Sequence, residues 1–423
     1  MTNSSGAPTR PLDRRLGLRD GVALGLAAMI GAGLFSAFAP AAASAGRWLV
    51  LAVVVAALVA AANASSMARL AARYPDSGGA YVYGRERLGL PWGHLAGWAF
   101  VVGKVASCAA MAMTLAVHVW PNFAKPIAVV AVLAVLALNL QGVHRSARVA
   151  LGIVAFAVAL VVTFGAVMLI APPVTVDTPP PAVPGSGTPL GVLQGAGFLF
   201  FAFAGYARVA TLGEEITDPR RTIPRAIGIA LAIVLALYVL VAVALTSSLG
   251  SGWVAAREAP LAEAAEISAW PWLGPALRVA AILAAGGALL ALVLGASRTL
   301  MAMARDRHLP PVLATVDGPH RTPRRAEAVI AGLVIVLIVL VDLRGAIAFS
   351  SFLVLTYYAI ANASAWTLEG RAATKVVPTL GLVACIGIAF LLPWQPVVAG
   401  VAVLAFGAFI GWARYTTREH PDA

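Results

Sequence analysis

The chain has 423 residues, 61% of them apolar and only 11% charged, with a formal net charge of +12. A soluble domain carries roughly 25% charged residues, so neither a soluble globule nor a disordered chain fits this composition. The apolar content suits a polytopic membrane protein, and the positive charge then reads as the Lys and Arg excess of cytoplasmic loops rather than a nucleic-acid footprint.

A membrane-crossing helix needs about 20 apolar residues. Hydropathy predicts twelve such spans, at 19–44, 47–69, 93–119, 126–142, 149–171, 191–216, 225–249, 275–304, 326–342, 345–368, 376–392 and 394–414. All are taken as helices, because in lipid each backbone N–H and C=O must find its partner within its own segment. Of the 30 Lys and Arg residues, 23 fall in the N-tail, the even-numbered connections and the C-tail. Five (Arg47, Lys125, Arg257, Arg278 and Arg344) fall on the opposite side, and Lys104 and Arg208 fall within spans 3 and 6. This asymmetry puts both termini in the cytoplasm of a multi-pass cell-membrane protein.

The first span follows Arg10, Arg14, Arg15 and Arg19 and ends in the small-residue run Ala41 to Ala45. That outline is similar to a secretory signal, but the apolar stretch is long for one and is read as a retained span. Near its middle stands Ile30-Gly31-Ala32-Gly33-Leu34-Phe35, whose two glycines each weaken a helix by roughly 1 kcal/mol relative to alanine. Close helix packing through small residues is the competing explanation. After span 2 comes Tyr74-Pro75-Asp76-Ser77-Gly78-Gly79-Ala80-Tyr81-Val82-Tyr83, read as a re-entrant loop with its tight turn at Ser77 to Gly79. The connection from Pro172 to Pro189 is Pro-rich and carries no cation, as an outside loop permits. Span 6 contains Phe200-Phe201-Ala202-Phe203-Ala204-Gly205-Tyr206, again with a mid-span glycine. It runs into Glu214-Glu215-Ile216-Thr217-Asp218-Pro219-Arg220-Arg221-Thr222-Ile223-Pro224-Arg225. The connection after span 7, with Glu258, Glu263 and Glu266, is long enough for a short surface helix. Span 8 has neither hydroxyl nor charge from Val279 to Ala296 and closes with Ala296-Ser297-Arg298. Span 10 carries Tyr357-Tyr358 and Asn362. Cys108 and Cys385 lie inside apolar runs, which offers neither a disulfide framework nor a cysteine metal site.

Glycine-interrupted helices at matching positions five spans apart point to a transporter site. With the loop after span 2, the Glu-Glu to Ile-Pro-Arg run, the end of span 8 and the span 10 tyrosines, the chain resembles the amino acid–polyamine–organocation superfamily of permeases. The resemblance implies an all-α fold with a five-plus-five inverted repeat, discontinuous helices 1 and 6, two added helices, and alternating access around a midplane site. The chain then divides into a cytoplasmic N-tail (1–18), a first repeat (19–171), an extracellular loop (172–190) and a second repeat (191–368). Two last spans (369–414) and a cytoplasmic C-tail (415–423) complete it.

An amino acid presents an ammonium and a carboxylate, and a broken helix can replace water around both. On the family pattern, the amides of Ala32 and Gly33 meet the carboxylate, and the carbonyls of Ile30, Phe201 and Ala204 take the ammonium. Gly31 and Gly205 give the backbone its freedom. Phe203 either gates the site or packs in lipid. The bare aliphatic face of span 8 argues against sodium coupling and leaves proton coupling or exchange. Lys104 admits three roles: a proton carrier tuned by burial, a snorkelling cation, or the fixed partner of a carboxylate. Some proton-coupled relatives carry a span 5 lysine where this chain has Ala157. Arg208 keeps its charge and joins Glu214 or Glu215 in a network, meets a substrate carboxylate, or gates the inner path. If Lys104 and Arg208 both face the site, an acidic amino acid fits alongside a neutral one, and a cationic one is repelled. No cofactor and no metal are called for. A channel would show polar stripes over several spans and a sensor a soluble domain, and neither pattern is present in the sequence. The spans also carry no HExxH, no paired aspartates and no Gly-x-Ser-x-Gly, so an enzyme is not expected.

Overall fold

The computed structural model describes residues 17–74, 78–141, 147–173, 186–210, 216–305, 309–315 and 323–419. Among them there is no strand. The first predicted span is built from three pieces, α1 (Leu18–Met29), α2 (Ala32–Ser36) and α3 (Phe38–Ala45). Gly46, at φ +54°, turns the chain into α4 (Leu49–Arg73). Then follow α5 (Ala80–Leu88), α6 (Leu90–Val119), α7 (Ala124–Leu140) and α8 (Ala147–Ile170). The sixth span holds α9 (Pro189–Phe203), a tight 3-10 turn over Ala204–Tyr206, and α10 (Ala207–Ala210). The second half continues with α11 (Pro219–Ser248), α12 (Ser251–Ala255), α13 (Pro260–Glu266) and α14 (Leu273–Arg305). It closes with α15 (Arg324–Leu340), α16 (Leu343–Trp366), α17 (Ala373–Leu391) and α18 (Trp394–Glu419).

Eleven helical stretches among the described residues are long and apolar enough to cross a membrane. The ninth predicted span coincides with α15, which has 17 residues. At about 1.5 Å per residue it is some 5 Å shorter than a hydrocarbon core of about 30 Å. The acidic connection after α11 does not float as a surface helix. It folds as α12 and α13, and Pro260, Leu261, Ala262, Ala264 and Ala265 are buried against the protein. Arg278 on α14 holds Glu266 at 2.8 Å.

Burial sorts the helices into a core and a rim. The most apolar stretch of α16 is 89% buried, whereas that of α18 is 11% buried. α6 and α16 approach closely because Gly103 has no side chain to hold off Leu353 and Val354. α18 is fastened to α6 through main-chain acceptors. Trp98 Nε1 donates to the Val403 carbonyl at 2.9 Å, and His94 Nε2 to the Gly407 carbonyl at 2.9 Å. A Cβ on Gly407 would lie 2.3 Å from the Trp98 ring. On its lipid side, α18 shows Phe406, Phe409 and Trp412. A crevice of about 350 Å³ with an almost wholly apolar lining opens there, between Leu95, Phe352, Phe390 and Leu404.

Gly407→Val is expected to lower the unfolding free energy by about 1–3 kcal/mol through overpacking. Ala405→Val, on the open side of the same helix, should change it by less than about 0.5 kcal/mol. Thermal unfolding of the purified variants measures both.

Candidate functional site

The α1 helix stops where its geometry fails. Ile30 is still helical (φ −77°, ψ −7°) and donates to Leu26, but Gly31 turns to ψ −130°, far from helical values. α2 restarts at Ala32 and reconnects through Ala37, whose N–H donates to the Gly33 carbonyl at 3.1 Å. By helix geometry, the last carbonyls of α1 and the first amides of α2 lack partners within their own helix. Ile30, Gly31 and Gly33 are all buried.

The interruption in span 6 is milder. α9 ends at Phe203, Ala204 stays near-helical (φ −61°, ψ −8°), and the turn tightens before α10. The Ala204 carbonyl already accepts the Ala207 N–H, so an ammonium there would share its second lone pair.

The two interruptions lie back to back. A Cβ on Gly33 would sit 2.4 Å from Ala202 Cα, and one on Gly205 would sit 2.5 Å from the Ala28 carbonyl. Each glycine lets the main chain of one span touch the main chain of the other. Gly31 faces Ala288 on α14, at 3.1 Å from a built Cβ to the alanine Cβ.

Tyr238 of α11 closes this arrangement. Its hydroxyl donates to the Met29 carbonyl at 2.6 Å and lies 3.5 Å from the Ala202 carbonyl. One phenol thus serves the free ends of both interrupted spans. Phe203 packs edge-on to the Tyr238 ring at 5.0 Å and is fully buried, away from lipid. Phe38 flanks the same ring at 5.7 Å. The reading above did not single out Tyr238, although it is the lone aromatic residue of span 7, and that isolation was the available signal.

A second aromatic run leads from the turn toward α5. Tyr206 stacks on Tyr358 at 5.4 Å, Tyr358 meets Tyr357 at 5.2 Å, and the Tyr357 hydroxyl accepts the Ala80 N–H at 3.0 Å. Gly79, at φ +57°, brings the start of α5 under that hydroxyl. The loop motif after span 2 and the tyrosine pair of span 10 are therefore one contact. Residues 75–77 of that motif lie outside the described residues. Asn362 donates to Asn63 of α4 at 2.6 Å.

Lys104 stands halfway along α6, half-buried, with its ammonium 5.3 Å from the Phe100 ring centroid. Phe100 in turn touches Tyr357 at 5.1 Å, which joins Lys104 to the α16 tyrosines. Arg208 falls on α10. Glu214 and Glu215 lie outside the described residues. Among the described residues no cluster of His, Cys, Asp and Glu could hold a metal ion. The groups gathered around the two interruptions are peptide groups, one phenol and aromatic rings.

Comparison with known proteins gives the family of the chain. The family model for amino acid permeases matches residues 20–422. An uncharacterized transporter of Mycobacterium tuberculosis is 53% identical, over 97% of this chain and 96% of its own. A branched-chain amino acid permease of Bacillus subtilis is 26% identical, over 95% of this chain and 93% of its own. The chloroplastic cationic amino acid transporter 7 of Arabidopsis thaliana is 28% identical, over 90% of this chain and 71% of its own.

Tyr238→Phe keeps the ring contacts and loses the bridging hydroxyl. It is expected to cost about 1 kcal/mol, with up to about 3 kcal/mol if the Met29 carbonyl stays unpaired. Denaturant or thermal unfolding of the two proteins in the same detergent measures the difference.

Proposed function

Because the chain belongs to the amino acid permease family, we propose that it carries a neutral L-amino acid across the cytoplasmic membrane by alternating access around the interrupted spans. It is an amino-acid transporter embedded in the membrane by multiple helices, and not an enzyme. The observation that carries the finer reading is the reciprocal fit of Gly33 on Ala202 and of Gly205 on Ala28. It leaves two sets of helix ends side by side, with amides available from Ala32 and Gly33 and carbonyls from Ile30, Phe201 and Ala204. Amides at a helix start favour a carboxylate, and carbonyls at a helix end favour an ammonium. Gly31, where the backbone leaves helical geometry, and Gly205, set against the Ala28 carbonyl, are the pivots.

The architecture that goes with this reading has twelve spans, with α15 as the ninth. Residues 19–171 and 191–368 form two inverted repeats, and α17 and α18 are appended outside them. Both termini then face the cytoplasm. Ala284 and Ala288 lie beside Gly31, and Phe203 lies against the Tyr238 ring, surroundings that favour an apolar side chain. The branched-chain name of the Bacillus relative points the same way. An acidic amino acid is the second reading, and the half-buried ammonium of Lys104 in the middle of α6 is what favours it. Coupling is to protons or to exchange.

Uptake of the twenty labelled amino acids into proteoliposomes, with and without a pH gradient, tests the reading. One or a few neutral amino acids should accumulate, faster with the interior alkaline. Gly33→Val, in which a side chain would press on Ala202, should reduce uptake at least a hundredfold while the protein still purifies as a single species. Normal uptake by that variant would overturn the assignment of the site.

A further inference from the structure

The helices α16, α17 and α18 follow one another through short turns, so α16 and α18 run in the same direction and α17 returns between them. Both α17 and α18 pack on α16, and between them lies the apolar crevice of about 350 Å³. Phe352 and Ala359 of α16 form its floor, Ile386 and Phe390 of α17 one wall, and Leu404 and Ala408 of α18 the other. Two polar side chains also border it, and each spends its hydrogen elsewhere. The Thr356 hydroxyl donates to the Phe352 carbonyl at 2.9 Å, and the Cys385 thiol to Asn63 Oδ1 at 3.2 Å. A polar guest therefore finds no side-chain donor among the lining residues, and water needs several polar partners. Ile386, Phe390 and Phe406 are exposed, which places the opening on the lipid side of the bundle.

One end of the crevice carries aromatic and charged groups. On α16 the face of Phe352 and Ala359 continues, at two-turn intervals, to Trp366. On α17 Ile386 stands about three turns from Lys375, and on α18 Ala408 is followed one turn later by Trp412. Lys375 Nζ lies 4.4 Å from the Trp366 ring centroid. Gly400 of α18 rests on the Phe352 ring, and from that contact Trp366 and Trp412 lie similar distances along the two parallel helices. Both indoles are exposed. Tryptophan and lysine at one level mark a membrane–water interface. Further cations gather at this end. Arg371 belongs to the α16–α17 connection, Arg69 donates to the Thr374 carbonyl at 2.7 Å, and Arg87 donates to Thr367 Oγ1 at 2.9 Å. The connection itself holds one acid, Glu369. At about 1.5 Å per residue, Lys375 and Ile386 are about 16 Å apart, close to half a hydrocarbon core of about 30 Å. That is the depth a lipid tail reaches from its own leaflet.

We propose that this crevice binds one anionic phospholipid, with a tail along Phe352, Ala359 and Ile386 and the phosphate at Lys375. The proposal rests on the chain being embedded in a membrane and is independent of what the chain transports. A tail in the crevice meets protein on three sides and gains dispersion contacts that a convex helix surface does not offer. The cations at the mouth supply the preference for a negative headgroup. The floor leads inward: Cys385 bonds to Asn63, which accepts from Asn362 at 2.6 Å, one turn beyond Tyr358. The lipid therefore lies one layer of side chains from the junction of α4 with α16.

The test uses the whole protein in nanodiscs of phosphatidylglycerol and phosphatidylcholine in equal parts, each lipid carrying in turn a photoreactive diazirine midway along one tail. Peptide mapping should place the phosphatidylglycerol cross-links on residues 382–390 and 401–408, at least fivefold above those from phosphatidylcholine. Raised salt should lower that ratio. Lys375→Gln should bring it down about fivefold while the phosphatidylcholine cross-links stay as they were. Ala408→Phe places a ring in the crevice from an exposed position. It should remove the cross-links of both lipids there and leave those on other helices unchanged. Cross-links spread evenly over the lipid-facing helices, a wild-type ratio near one, a ratio unmoved by Lys375→Gln, or cross-links that survive Ala408→Phe each overturn the proposal. So does a dimer held through this face, detected by native mass spectrometry and abolished by Ala408→Phe.

Discussion

A peptide group in lipid must have a partner, and that constraint governs the whole molecule. A continuous helix meets it automatically. An interrupted one does not, and this chain interrupts two of its spans inside the helix bundle. The solution is to set the exposed main chains against one another and give the loose ends one shared donor. Tyr238 donates to the Met29 carbonyl and lies near that of Ala202, so α1, α9 and α11 meet at one hydroxyl. The close fit at Gly33 and Gly205 follows from the same need, since any side chain there would separate the groups that must meet.

The interruption is linked to a second structure at the foot of α16. Tyr206, at the turn of span 6, stacks on Tyr358; Tyr357 beside it holds the first amide of α5. Phe100 joins the same cluster and carries Lys104 over its face. The motif after span 2, the tyrosine pair of span 10 and the lysine of span 3, far apart in the chain, thus share one neighbourhood. The turn of span 6 is joined to the start of α5 through one stacked and one edge-on ring contact.

Much of the helical layout was legible in the sequence, because apolar runs of membrane length have few alternatives. Gly31, Gly33 and Gly205 were legible too, since a glycine in such a run is costly without a reason. Tyr238 was not, because its role depends on which carbonyls tertiary packing leaves open. The acidic connection before α14 was taken for a surface element, as its glutamates suggest. Pro260 to Ala265 show that its apolar face packs on the protein, with Glu266 held by Arg278 at the margin.

The grip on α18 has a consequence for how this chain can vary. Trp98 and His94, one turn apart, hold oxygens that are also one turn apart on the outermost helix, and those oxygens belong to every amino acid alike. The lipid-facing residues of that helix are therefore free to drift through almost any greasy substitution while its register stays locked. Three glycines are the exceptions: a methyl group would meet the Phe352 ring at Gly400, the indole at Gly407 and the His94 imidazole at Gly411. Mutational tolerance along the last span should read like a ruler with three notches.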